Sequence, residues 1–560
     1  MKELLSIKSN ASEYKVDSYK NLLITNSNAV NSQDDDYESD DFSEKHGLRR
    51  GLKLRHVQLI ALGGCIGTGL FVGTGSSLLQ CGAASLLISY AIMSLVLYLV
   101  MNMLGEMTTF LPLPGNGPQS FVNNYVDSSL GFAIGYNYWY SFAMLVATEV
   151  TAAAIVIQYW NDTINIAAWI SILLVVVLVL NMSSVKYFGE FEFYFASLKL
   201  FAITGLIILG IVLFFGGGPN HDRLGFRYWK NGGAFKQHLV SGGTGRFLGV
   251  WTAIIKSGFA FICAPELVSL TGGECEKPRR NLPKACDRFV YRLIFFYIFG
   301  TLVIGVICNS NSPRLMSASS DASASPFVIG IQNAGIPALN HIINAAILTS
   351  AASSGNSFLY SASRCLYALA LNDSAPRIFK RVNRAGVPYY CVLISWAIAC
   401  LSYLNCSSSS SDVFTWFSNI CTISGFISWI AVSIAYLRWR KAIKYNNLED
   451  RVTYRTPFQP YGTYFVIGFI GLLTLTNGYA VFFSFTAGDF LGAYITFPIV
   501  FFLYCGHKIF IYLRTKKLKW VNPIEEIDLI TGLDLIEEED RLTPERVPKN
   551  LAEKIWFWIA

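Results

Sequence analysis

Between residues 58 and 512 the chain enters twelve runs of roughly 20 apolar residues, each closed by charged residues or by Gly/Pro punctuation. No soluble core absorbs that pattern. A globular domain carries about a quarter charged residues, whereas this chain is 53% hydrophobic and 14% charged. A bilayer does absorb it, because a helix of about 20 apolar residues crosses the hydrocarbon with its backbone bonded internally. The runs predict an all-α polytopic membrane protein with 12 transmembrane helices. They lie near 58–80, 84–110, 131–157, 166–184, 193–215, 250–271, 288–308, 338–371, 387–404, 413–437, 463–484 and 489–512. Two of them are long enough to tilt or break.

Charge orients these spans. Lys and Arg gather before span 1 (Arg49, Arg50, Lys53, Arg55), between spans 6 and 7 (Lys277, Arg279, Arg280, Lys284) and between spans 8 and 9 (Arg377, Lys380, Arg381, Arg384). They recur between spans 10 and 11 (Arg438, Arg440, Lys441, Lys444) and after span 12 (Arg514, Lys516, Lys517, Lys519). Loops of this kind stay in the cytoplasm. The loops near 157–165 and 405–412 have no Lys or Arg; only 216–249 disagrees, with Arg223, Arg227, Lys230, Lys236 and Arg246. An even span count then places both termini inside.

Three segments follow: residues 1–55 as a disordered cytosolic N-terminal tail, 56–513 as the twelve-helix transporter domain and 514–560 as a cytosolic C-terminal tail. The N-terminal tail is polar, carries an acidic run from Asp34 to Asp41, and lacks the apolar block of a secretion signal. Its lysines (Lys2, Lys8, Lys15, Lys20) are possible acceptors for ubiquitin ligase machinery. The net charge of +7 belongs to the basic loops and calls for no nucleic acid. The twelve cysteines are scattered singly, with no CxxC or Cys/His cluster, so no metal, cofactor or disulfide framework is expected. Asn161-Asp162-Thr163 and Asn405-Cys406-Ser407 match the glycosylation sequon, but lie so near the bilayer that unmodified asparagine is expected.

Chemistry concentrates in spans 1 and 6. Span 1 holds glycines 63, 64, 67, 69 and 73. Small residues allow close helix packing, but Gly67-Thr68-Gly69 is denser than a packing seam requires and loosens the helix at mid-membrane. A break there frees the backbone N–H groups of Ile66, Gly67, Thr68, Gly69 and Leu70 to bind a carboxylate. Span 6 has a matching interruption, Phe259-Ala260-Phe261-Ile262-Cys263-Ala264-Pro265-Glu266, in which Pro265 removes a donor. Carbonyls freed upstream can accept from an ammonium group; an ordinary proline kink is the plainer alternative. Paired interruptions five helices apart are the pattern of inverted-repeat transporters.

Ionisable residues inside spans are costly unless paired or facing water. Glu149 and Glu266 are the candidates for proton coupling, Glu106 reads as an interfacial acid, and Lys199 and Arg364 as snorkelling or structurally paired. Lys256 lies three residues before Phe259, within pairing reach of an acid such as Glu149. Phe259 and Phe261 flank the span 6 break as an apolar wall, with Trp416 or Phe417 of span 10 as additions.

Several stretches resemble the fungal amino acid permeases of the amino acid–polyamine–organocation superfamily. They include His56-Val57-Gln58-Leu59-Ile60-Ala61-Leu62-Gly63-Gly64, Leu104-Gly105-Glu106-Met107, Leu130-Gly131-Phe132-Ala133-Ile134-Gly135-Tyr136-Asn137-Tyr138-Trp139, Ala375-Pro376-Arg377-Ile378-Phe379 and Arg384-Ala385-Gly386-Val387-Pro388-Tyr389. The resemblance covers about residues 48 to 540 and is closest to the proline permeases of that family, on Gly217 to Trp229, Ser325 to Ile336, Ile254-Ile255-Lys256 and Asp412 to Ile420. It implies a five-plus-five inverted repeat (LeuT-like) with two extra C-terminal helices. The implied function is proton symport of amino acids, L-proline first and small neutral ones more weakly, at the plasma membrane. Two positions depart: Cys65 stands where Ala or Thr is expected, and Cys263-Ala264 precede Pro265-Glu266 where Gly is usual. A general or other neutral amino acid permease, or an amino acid sensor with a transporter fold, is the alternative. An enzyme is disfavoured by the lack of HExxH, nucleophile-elbow and phosphate-cradling motifs, and a channel by the paired breaks.

Overall fold

A computed structural model describes residues 63–542, apart from 113–116, 162, 184, 231–232, 272–277, 318–324, 337, 384, 407–409, 517–518 and 532, together with residue 550. The N-terminal tail with its acidic run and lysines, the basic cluster Arg49 to Arg55, the first residues of span 1, Lys277, Arg384, Lys517, Asp162 and Ser407 of the sequons, and nearly all of 543–560 lie outside the described residues.

Nineteen α-helices make up the described chain: α1 Thr68–Phe71, α2 Gly73–Cys81, α3 Ala83–Phe110, α4 Pro118–Tyr125, α5 Ser128–Gln158, α6 Ile166–Met182, α7 Val185–Phe215, α8 Gly242–Phe261, α9 Ala264–Thr271, α10 Pro278–Ile307, α11 Pro313–Ser317, α12 Pro326–Asn333, α13 Leu339–Leu371, α14 Tyr389–Ala399, α15 Ser410–Tyr445, α16 Tyr461–Thr476, α17 Ala487–Tyr494, α18 Thr496–Thr515 and α19 Leu533–Leu542. Local chemistry sets the ends. The Asp127 carboxylate accepts from the Leu130 N–H at 3.2 Å and the Asn165 side chain from the Ala167 N–H at 2.9 Å, capping α5 and α6. Gly82 turns the chain from α2 into α3 at φ +90°, where an added Cβ would meet the Ala234 carbonyl oxygen at 2.6 Å.

Among the described residues nine helical stretches are long and apolar enough to cross a membrane. The other three expected runs are also helical. Span 1 is broken, α6 has 17 residues, and α13 is long but carries buried Ser350, Ser353, Ser354, Asn356 and Arg364. Of these, Ser350 and Ser354 donate to the Ile66 and Gly63 carbonyls at the span 1 break, at 2.9 and 3.1 Å. Span boundaries also shift. The span expected at 288–308 starts at Pro278, whose missing N–H costs nothing at the first helical position, and runs on through Pro283; 489–512 divides into α17 and α18; 387–404 ends in a tighter turn over Cys400–Cys406. The core is built by α13 lying along α5, α10 along α3, α15 along α5, and α8 along α3.

The end of the bundle bearing the basic loops is closed by the chain's C-terminal segment. Ile527, Leu529, Leu533 and Ile536 are buried against it. On α19, Asp534 and Glu537 meet Arg451 at 2.5 and 2.8 Å, and Asp540 meets Arg280 at 2.6 Å. The Arg451 guanidinium holds the Glu537 carboxyl below the usual carboxylate range. That lowered pKa makes the pair's contribution complete above about pH 4.3 and lost as pH falls through the folded value. Partly exposed ion pairs contribute about 0.2–1 kcal/mol each, whereas a buried Leu or Ile contributes about 1.5–3 kcal/mol. Burial therefore decides the docking. Leu533→Ala is expected to speed hydrogen exchange over residues 524–542 at neutral pH more than Arg451→Gln does; the reverse order would place the docking energy in the charges.

Candidate functional site

The first span is interrupted where its glycines stand. Residues 63–65 are helical, Ile66 and Gly67 leave the helix, and the chain re-enters it as α1 and α2. Gly67 is extended, and its N–H turns back onto the Cys65 carbonyl at 2.9 Å. The opposing span breaks between α8 and α9. Ile262 is extended and Cys263 takes φ +60°, so the interruption precedes Pro265 instead of sitting on it. Pro265 has no N–H for the carbonyl of Phe261, four residues back. A left-handed non-glycine residue costs about 1–2 kcal/mol, which gives physical content to the departure noted at Cys263.

The two breaks touch. An added Cβ on Gly69 would lie 2.9 Å from the Ala260 Cα, and one on Gly67 would lie 2.7 Å from Glu149 Oε1 and 2.9 Å from Ser354 Oγ. Side chains from neighbouring helices serve the freed backbone. The Tyr297 hydroxyl of α10 has the Cys65 carbonyl at 2.8 Å and the Ala260 carbonyl at 2.7 Å. Tyr90 of α3 donates to Gly69 at 3.2 Å, and Ser350 of α13 donates to Ile66 at 2.9 Å. The Leu70 carbonyl accepts from Thr74 at 2.8 Å.

Glu149 comes to this place from α5. Its Oε1 accepts from the Thr68 hydroxyl at 3.1 Å and from the Thr68 N–H at 3.4 Å, while Oε2 has no partner among the described residues. A protein carboxylate thus occupies donors that the sequence assigns to a ligand carboxylate. Of the five backbone amides from Ile66 to Leu70, those of Gly67 and Thr68 are engaged. Lys199 of α7 is fully enclosed; it donates to the Gly63 carbonyl and, at 3.0 Å, to Ser354, with Glu192 and Glu149 as its electrostatic neighbours. Glu192 accepts from Ser353 at 2.6 Å. Sequence reading missed Glu192 and gave Lys199 only a snorkelling or pairing role. Their seven-residue spacing, two turns on one helix face, was the available signal.

Glu266, in the first turn of α9, is buried. Its Oε1 accepts from Trp429 at 2.8 Å and Tyr138 at 3.1 Å, and its Oε2 has no partner among the described residues. Four other residues depart from expectation. Lys256 donates to Gln80 at 2.8 Å instead of pairing with Glu149, which is bound to Thr68 and neighbours Lys199. Phe261 turns away from Phe259 and packs edge-on to Tyr297, ring centroids 4.7 Å apart, because residues two apart on a helix face opposite sides. Trp416 of α15 donates to Asp489 at 2.9 Å and packs against α17, whose Gly488 and Gly492 leave room for it. The ring beside Phe259 is Phe414, at 5.7 Å. Glu106, expected at an interface, is buried and accepts from Tyr436 at 2.6 Å and the Thr456 N–H at 2.7 Å. The structure therefore brings together Ile66 to Leu70, Glu149, Ala260 and the rear of Phe261, while Lys256 and Trp416 stand apart.

The contact between Gly69 and Ala260 is backbone-close, so a flexible side chain cannot yield to relieve it. Gly69→Ala is expected to lower any transport at least tenfold with surface abundance retained, and Gly67→Val to abolish it. Normal transport by either surface-expressed variant would show that the breaks separate without functional loss.

Residues 56–520 match the family model described as amino acid permease. The chain is 55% identical over 525 residues to the proline-specific permease of Emericella nidulans, covering 93% of this chain and 94% of that one. It is 58% identical over 503 residues to the probable proline-specific permease put4 of Schizosaccharomyces pombe, covering 89% and 90%. It is 54% identical over 511 residues to the proline-specific permease of Saccharomyces cerevisiae, covering 89% and 81%. With nine membrane-length apolar helices among the described residues and this match across most of its length, the chain is a multi-pass membrane protein that belongs to the amino acid permease family.

Proposed function

We propose that this chain is a proton-coupled permease that imports L-proline, and small neutral amino acids more weakly, across the plasma membrane. The observation that carries the reading is the pair of helix breaks in contact at mid-bundle, with donors on one side and carbonyls on the other. The names of the three relatives support proline as substrate. The twelve runs are read as twelve spans, five-plus-five with two extra, with the basic loops and both termini in the cytosol and lipid around the bundle. The segments are a tail to residue 55, the transporter to 513 and a C-terminal segment of which α19 docks on the cytosolic face. Tail lysines remain proposed ubiquitin acceptors.

In this reading the substrate carboxylate takes the N-terminal donors of α1, Thr68 to Leu70, and its nitrogen faces Cys65 and Ala260. Phe259 and Phe414 supply the apolar wall for the ring; Lys256 and Trp416 act on the site from outside its first contacts. Coupling follows from charge. Glu149 and the substrate carboxylate compete for Thr68, and two carboxylates close together in low dielectric are unfavourable. Protonation of Glu149 releases Thr68 to the substrate, so one proton enters with each ligand. Lys199, between Glu192 and Glu149, balances the charge left behind. Glu266, like Glu149 and Glu192 a buried carboxyl with one oxygen unpartnered among the described residues, is the other proposed proton carrier.

Two outcomes are expected in a strain lacking its own permeases. Labelled proline uptake is competed by excess proline and weakly by alanine or glycine, and not by arginine, glutamate or leucine; equal competition by any of those three would make the chain a general permease. Phe259→Ala weakens proline by about 1–3 kcal/mol and admits bulkier neutral amino acids. Separately, Glu149→Gln abolishes accumulation against a gradient while exchange of internal for external proline persists. Unchanged concentrative uptake with the same pH dependence would remove Glu149 from the coupling, and the same result for Glu266→Gln would remove Glu266.

A further inference from the structure

The Tyr297 hydroxyl has two acceptors and one hydrogen. The ring is fully buried, held edge-on between Tyr90 and Phe261 with centroids 5.6 and 4.7 Å away, so the oxygen cannot swing to other partners. Its acceptors differ. The Cys65 carbonyl already accepts the Gly67 N–H at 2.9 Å. The Ala260 carbonyl, whose helix ends one residue later, has no backbone partner among the described residues. A buried carbonyl without a donor is the costlier of the two. The hydrogen therefore goes to Ala260, so that each of the two carbonyls has one donor and keeps one lone pair, two acceptors in all.

We infer that Tyr297 is a specificity-determining residue: by capping the Ala260 carbonyl it sets the number of acceptors facing the substrate nitrogen and so favours secondary over primary amino acids. The inference rests on the proline reading above. A primary ammonium brings three N–H donors and a secondary ammonium brings two. Every donor that enters a dry site unpaired carries its desolvation cost. With Ala260 capped, the site is one acceptor short for a primary amine. Removing the hydroxyl restores that acceptor and relaxes the discrimination.

The test is the ratio of kcat/KM for proline to that for alanine, measured as uptake and normalised to surface protein. Tyr297→Phe is expected to lower the ratio about tenfold or more, the range that a buried unpaired polar group gives. Tyr90→Phe, which deletes a hydroxyl from the same ring cluster but frees only the Gly69 carbonyl, is expected to leave it unchanged. An unchanged ratio in a Tyr297→Phe protein that still carries proline overturns the inference, as does an equal fall in Tyr90→Phe. A second measurement needs no variant. Sarcosine and alanine are isomers with two and three N–H donors, and sarcosine is expected to inhibit wild-type proline uptake more strongly; alanine inhibiting as well or better overturns the inference. Failure of the proline reading itself looks different, as absence of saturable proline uptake in the wild type.

Discussion

The structure depends on how broken backbone is satisfied where no water is available. Each unbonded N–H or C=O in the bilayer costs several kcal/mol, so spans 1 and 6 can be interrupted only if other helices supply partners. Tyr297, Tyr90, Ser350 and Lys199 do this for carbonyls at Ala260, Gly69, Ile66 and Gly63, the Gly67 N–H does it for Cys65, and Glu149 does it for the Thr68 N–H. The partners come from α3, α5, α7, α10 and α13. Packing of the whole bundle thus follows from two short irregular segments, and a substrate that borrows those backbone groups must change the bonds that hold the bundle.

In the proposed reading that dependence links binding to movement and to protons. Glu149 holds the Thr68 donors and Tyr297 holds the Ala260 carbonyl. A ligand enters by exchanging bonds, which keeps the difference between empty and filled states small enough for repeated cycling. Glu149, Glu192 and Lys199 are buried in one cluster, and in the proposed reading one proton is the increment by which its charge balance changes.

Much of this was legible in the sequence. Apolar length and Lys/Arg asymmetry gave the helices, and Gly67-Thr68-Gly69 and Pro265 gave the breaks, since each has a direct backbone consequence. What was hidden depends on pairing across distance. Thr68 and Glu149 are 81 positions apart, and Cys65 and Tyr297 are 232 apart. A tyrosine within an apolar run reads as packing, and Lys199 spends its donors on the Gly63 carbonyl and Ser354, contacts 136 and 155 positions away. Lys256 was misassigned because a costly cation was matched to an acid, whereas its partner is the neutral Gln80. Trp416 was placed by its aromatic character near the break, but the glycines of α17 offered it a better seat.

The central claim, that proline and a proton enter together through the two breaks, is tested most directly with purified protein in sealed vesicles carrying a lumenal pH indicator. Adding external proline, with no imposed gradient, is predicted to acidify the lumen in step with labelled proline entry, and Glu149→Gln is predicted to uncouple the two. Proline entry by the wild-type protein without any change in lumenal pH would contradict the account.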